Sequence, residues 1–142
     1  MRMQLSGDIT LLHRFHQLPP KMQKKYGRRG VAKAARQLVK GAKARAPVRT
    51  GQLKKSLGFR PRTYKGTVLA IVGPRKGFAT TDETGKKHDP ARIAHLVEMG
   101  HGGPRPAPPH PFLRPAMDEL APTMAATIAR ELQAGLGEAG GE

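Results

Sequence analysis

Histidines and carboxylates crowd the second half of the chain: His88, Asp89, His95, Glu98, His101 and His110. Imidazole and carboxylate are common ligands of zinc and related ions, so a metal site is the first chemistry to test. Two histidines on one helix share an ion best at i and i+4, which places both rings on one face. His95, Glu98 and His101 stand instead at i, i+3 and i+6, fanned over about 120°. Gly100 is expected to end any helix before His101. The spacing predicts histidines in a polar loop and no metal. With no cysteine anywhere in the sequence, a thiolate site, a disulfide framework and a cysteine nucleophile are excluded.

Catalysis finds no better footing. Ser6 and Ser56 are the only serines, and neither lies in a nucleophile elbow. A metal-dependent nuclease needs two or three convergent acids, whereas the ten acids here are scattered, and Asp82-Glu83 falls in a polar loop. No glycine spacing matches a phosphate-cradling loop. The expectation is a chain that is not an enzyme and takes no cofactor.

The strongest chemical signal is cationic. Arg29, Lys33, Arg36, Lys40 and Lys43 recur at spacings of four and three, centred about 160° from an apolar set of Val31, Ala34, Ala35, Leu38 and Ala42. The whole chain carries 26 basic against 10 acidic residues, a net charge of +16. Residues 1–65 account for +17, residues 66–117 for +3 and residues 118–142 for −4. No acid occurs from Ile9 through Ala79 to pair with the ridge at helical spacing. Such repulsion costs stability unless phosphates, or an acidic surface on another subunit, answer it. The opposite charges of the two ends would also suit copies packing head to tail. With no Trp and 4% aromatics there is no base-stacking platform, so any DNA contact is expected to be electrostatic and not sequence-specific.

These residues need elements to hold them. Helical spacing from Asp8 to Leu18 predicts a short helix, capped by Ser6 or Asp8 and stopped by Pro19-Pro20. A long basic helix spans Pro20 to Ala46, either bent at Gly27 and Gly30 or starting in earnest near Gly30. Thr50 is placed to cap a turn, Gln52 to Ser56, that buries Leu53. Leu57 to Thr63, interrupted by Pro61, reads as an edge strand, and Lys65-Gly66 as a turn. Thr67 to Val72, apolar on both faces, predicts a strand covered on both sides by helices or a second subunit. Residues 75–90 read as an extended loop or mobile hairpin. Ala91 to Met99 forms a short helix. A last helix with Pro115 in its first turn runs to about Gly135, and residues 136–142 are expected to fray. No apolar run approaches the roughly 20 residues of a membrane helix, and the first residues lack a signal-peptide stretch. The chain is therefore expected to remain in the compartment where it is made.

Three motifs carry a family resemblance. Ala44-Arg45-Ala46-Pro47-Val48-Arg49-Thr50-Gly51-Gln52-Leu53-Lys54-Lys55-Ser56 resembles the alanine-rich helix, Ala-Pro, x-x-Thr-Gly, x-Leu, x-x-Ser signature of tailed-phage neck proteins. These are also known as siphophage minor tail or tail-completion components and occur in gene-transfer particles. Ile93-Ala94-His95-Leu96-Val97-Glu98-Met99-Gly100 is similar to the family's Tyr-Ala-x-x-x-Glu-Phe-Gly-Thr element, with Ile93, Met99 and His101 as departures. Pro111-Phe112-Leu113-Arg114-Pro115-Ala116 matches its Pro-Phe-Leu-x-Pro-Ala start of the last helix.

The resemblance implies an α+β fold, with the long basic helix and the C-terminal helix packed around a small antiparallel sheet in a single domain over residues 1–142. It implies a structural subunit of the virion's head–tail junction, made in the bacterial cytoplasm and assembled as a ring on the order of six or twelve copies. Its neighbours would be connector or adaptor proteins and tail-terminator or tail-tube proteins, with duplex DNA passing through the lumen and no membrane involved. The basic ridge would face DNA or an acidic partner ring. Arg75, Lys76, Lys86 and Lys87 would belong to a loop that docks on a neighbour. The other reading is a small basic cytosolic protein that binds nucleic acid non-specifically.

Overall fold

Nine elements follow one another in the computed structural model, which describes residues 9–49 and 51–141. They are α1 (Ile9–His16), α2 (Pro20–Arg45), α3 (Gln52–Ser56), β1 (Leu57–Tyr64), β2 (Thr67–Pro74), β3 (Thr80–Thr81), β4 (Lys87–His88), α4 (Pro90–Met99) and α5 (Leu113–Gly140). The class is α+β, as expected. The chain divides into two compact units, with the divisions at Ala35/Arg36, Arg60/Pro61, Ala70/Ile71 and Leu120/Ala121. The caps expected from Ser6, Asp8 and Thr50 lie outside the described residues.

The first unit holds α1, the first part of α2, the tip of the β1–β2 hairpin and the last part of α5. Its core is Phe15, Tyr26 and Leu132, flanked by Leu11, Leu18, Met22 and Ile128. The corner between α1 and α2 is closed by Gln23, whose Nε2 donates to the carbonyls of His16 (2.9 Å) and Leu18 (2.6 Å). Pro20 opens α2, where its missing N–H costs nothing. The helix runs unbroken through Gly27 and Gly30, because Gly30 is where α5 comes close. A Cβ there would stand 3.3 Å from the Ile128 Cα.

α5 continues to Gly140 rather than ending near Gly135. Gly135 lies flat against the Tyr26 ring, where a Cβ would meet ring carbons at 2.8 Å. This packing keeps a poor helix former inside the helix. The hairpin tip is a two-residue turn with positive φ at both Lys65 (47°) and Gly66 (77°), the twist that joins two antiparallel strands tightly.

The second unit holds the rest of α2, α3, the base of the hairpin, β3, β4, α4 and the start of α5. The alanine face reads true across both units: Ala34, Ala35, Leu38, Ala42 and Ala46 are buried. In this unit Ala116 of α5 is also buried, and a Cβ on Gly41 would approach its Cβ to 3.4 Å. Small residues allow the two backbones to come close. Leu53, Ser56, Leu57, Pro90, Ala94 and Phe112 are buried as well.

Along β2, burial alternates, and Leu69 and Ile71 are exposed. The strand is thus covered on one face only, because a two-stranded hairpin has no second layer over its outer side. Residues 75–90 contain a short antiparallel pair, Thr80 opposite His88 and Thr81 opposite Lys87. Gly100 ends α4 with φ 71°, and a Cβ there would meet the Pro109 nitrogen at 2.7 Å. Only glycine fits that conformation and that approach.

Candidate interaction site

The cationic ridge of α2 divides into two stretches with different surroundings. In the first unit, Lys33 hydrogen-bonds Glu131 and the Arg29 Nε lies 3.6 Å from the same carboxylate. Glu131 is only 7% exposed. The Lys33 bond, helped by the charge of Arg29, holds the Glu131 carboxyl below its usual range against the opposing effect of burial. One turn earlier, Lys25 pairs with Glu138 at 3.4 Å, and both Lys25 and Arg29 approach the Tyr26 ring, at 5.1 and 5.6 Å. The acids that are absent from this stretch of sequence come from α5, about a hundred residues away. Glu131 and Glu138, seven apart, were the legible signal.

In the second unit, Arg36, Lys40 and Lys43 have no acidic partner among the described residues. They line a cavity of about 470 Å³ together with Arg75 and the apolar side chains of Val39, Leu57 and Phe59. The Arg36 guanidinium sits 5.6 Å from the Phe59 ring centre. Arg75 is fixed in place: its Nε donates to the Ser56 carbonyl (3.3 Å), its Nη2 to the Lys55 carbonyl (3.4 Å), and its guanidinium lies 5.1 Å from the Phe78 ring centre. Gly58 makes room for that arm, since a Cβ would meet the Arg75 Cδ and Nε at 2.7 Å. Sequence reasoning placed Arg75 in the loop and missed Phe59. The strand alternation Leu57, Phe59 put an aromatic near the ridge, but nothing in the sequence said which helix the strand would face.

The carboxylate of Glu98 is occupied elsewhere. It accepts the backbone N–H groups of Phe112 (2.9 Å) and Leu113 (3.0 Å) on one oxygen and of Arg114 (2.9 Å) on the other. Burial would raise its pKa; the three N–H bonds and the charge of Arg114 outweigh that and leave it below the usual glutamate range. His101 lies beyond Gly100 and bridges to Ala107, so the His95, Glu98, His101 set does not converge. Among the described residues no three His, Asp or Glu side chains gather to hold a metal ion.

The motif that joins Glu98 to Phe112 and Leu113 is therefore a physical clasp. A family model described as "Bacteriophage HK97-gp10, putative tail-component" matches residues 10–100, well over half of the 142 residues. The chain belongs to this HK97-gp10-like family of phage tail components. No curated protein and no solved structure matches it.

In this tail component, the first motif forms the end of α2 and the whole of α3. Ala46 is buried and Pro47 is exposed; Thr50 lies outside the described residues, and Gly51 precedes α3 with φ 76°. Leu53 and Ser56 are buried, and the Ser56 hydroxyl donates to the Leu53 carbonyl at 2.7 Å. The third motif, Pro111 to Ala116, follows the matched residues and begins α5, with Phe112 and Ala116 buried, Leu113 and Pro115 half-buried and Pro111 exposed. Among the loop residues, Lys76, Lys86 and Lys87 are exposed. The hairpin is organised by Asp82, which accepts from the Thr84 N–H (2.9 Å), the Thr84 hydroxyl (2.5 Å) and the Lys86 N–H (2.9 Å) and pairs with His88 (2.8 Å). The Thr84 hydroxyl and then His88 hold the Asp82 carboxyl far below the usual carboxylate range.

Proposed function

We propose that this tail component is a head–tail connector subunit of the neck or tail-completion kind, structural rather than catalytic. It acts as one module and assembles as a ring on the order of six or twelve copies at the virion's head–tail junction. Its Arg36, Lys40 and Lys43 face DNA in the lumen or an acidic neighbouring ring, and Lys76, Lys86 and Lys87 dock on an adjacent connector or tail protein.

The observation that carries this reading is the family match over residues 10–100. Two physical features support it. Three cations of one helix stretch lack any acidic partner among the described residues, which suits an external anion. Leu69 and Ile71 leave apolar area on β2, which suits a neighbouring subunit.

Quantitative mass spectrometry of purified tailed particles tests the proposal, with copies counted against the major capsid protein. A fixed low number, on the order of six or twelve, is expected. Absence from clean particles overturns it in favour of an assembly factor or a free nucleic-acid binder.

A further inference from the structure

The cavity lined by Arg36, Lys40, Lys43 and Arg75 is more selective than a charged ridge. Duplex DNA presents phosphates, which are polar on every side and are well served by cations on an open surface. An apolar lining adds nothing to such a contact. Here Val39, Leu57 and Phe59 line the same cavity as the cations, and two guanidiniums are held over aromatic rings, Arg36 at 5.6 Å and Arg75 at 5.1 Å. Planar guanidinium forks match carboxylates two bonds at a time. The apolar lining of Val39, Leu57 and Phe59 suits an apolar side chain.

The occupant is not the C-terminal helix of a second copy, because most acids of that helix are already engaged within the chain. Glu119 pairs with Arg45, Glu131 with Lys33 and Arg29, and Glu138 with Lys25. We propose that the cavity receives an acidic segment of a different protein, in which carboxylates flank a phenylalanine or similar apolar residue. The apolar residue sits on Phe59 and Val39, and the carboxylates pair with Arg36, Lys40, Lys43 and Arg75. This rests on the connector reading and decides between its two candidate anions, in favour of protein over DNA.

The test is fluorescence anisotropy on the full chain with three labelled probes at physiological salt. They are the peptide Glu-Asp-Phe-Glu-Asp, its analogue with serine in place of phenylalanine, and a short DNA duplex. The phenylalanine peptide is expected to bind at least about tenfold more tightly than the serine analogue, the gain from burying one aromatic side chain. Lys40→Glu is expected to weaken the peptide about tenfold while circular dichroism stays unchanged. Should Lys40→Glu lower the folded content, Lys43→Gln provides the same comparison by removing a single half-buried charge without reversing it.

Equal binding of the two peptides, no peptide binding, or a duplex that displaces the peptide and loses its own binding in Lys40→Glu overturns the proposal. All three probes act on the isolated chain. A failure here therefore leaves a positive particle count intact, and absence from particles leaves the peptide preference intact.

Discussion

Glu98 and Pro115 together account for every free backbone N–H at the start of α5. A helix leaves its first four N–H groups without intrahelical partners. Those of Phe112, Leu113 and Arg114 donate to the Glu98 carboxylate, and the fourth position is Pro115, which has no N–H to satisfy. The negative charge also sits at the positive end of the helix dipole. Two motifs separated by a proline-rich stretch thus form one cap.

Removing that carboxylate is expected to be costly. Glu98→Ala leaves three N–H groups without their acceptor and should lower unfolding free energy by about 2–4 kcal/mol. Glu98→Gln should fall between the mutant and the parent, since one amide oxygen replaces two charged ones. Urea denaturation of the three proteins checks the order; equal midpoints would show that the clasp contributes nothing.

Acid should weaken the fold through the same group and through Glu131. Both carboxyls are held below their ordinary value of 4.5, so the unfolded chain takes up protons first as pH falls. The stabilisation is complete above that ordinary value and is lost as pH drops through the lower folded-state value. Thermal unfolding followed from pH 7 to pH 3 should show the decline, and Glu98→Gln should show a shallower one.

Two glycines in helices should respond unequally to alanine. Gly135→Ala drives a methyl into the Tyr26 ring and is expected to destabilise by about 1–3 kcal/mol, more than the helix propensity it gains. Gly41→Ala meets chiefly the terminal methyl of Leu120, at 2.6 Å, which can rotate away. It should lie within about 0.5 kcal/mol of the parent. Thermal melts of the pair test the distinction between a rigid ring and a flexible side-chain end.

The acids of α5 should not be equivalent. Glu131 is buried and serves two cations, so Glu131→Ala is expected to cost about 1–2 kcal/mol. Glu138 and Lys25 are each about half exposed, and Glu138→Ala should cost less than about 0.5 kcal/mol. Raising salt should shrink the second effect more than the first.

Arg36→Glu combined with Lys40→Glu should leave the isolated fold intact while reducing the yield of infectious particles. Neither side chain pairs with an acid among the described residues, so reversal breaks no internal ion pair. Normal particle yield would remove the role assigned to this stretch of α2.

Much of the fold could be read in the residues because its signals are local. The alanine spacing of α2, the turn at Lys65-Gly66 and the short helix at Gln52–Ser56 each depend on neighbours a few positions away. What was not legible depends on distant partners. Gly30 and Gly135 looked like helix breakers until the facing helix and ring were known. The ridge looked uncompensated because Glu131 lies about a hundred positions from Lys33. The role of Glu98 was hidden because the three backbone N–H groups that donate to it have no side-chain signature. Arg75 and Phe59 join the cavity only once the hairpin is folded.

The place of α5 in the chain has a kinetic consequence. Each unit is completed by a segment of α5: Gly30 faces Ile128 in one, and Gly41 faces Ala116 in the other. Closing such long loops is slow compared with forming a local hairpin. During synthesis the alanine face of α2 emerges early and waits, uncovered, until α5, Leu113–Gly140, has been made. A product terminated before α5 would therefore lack both cores at once, so a finished surface for assembly appears only after α5 is made.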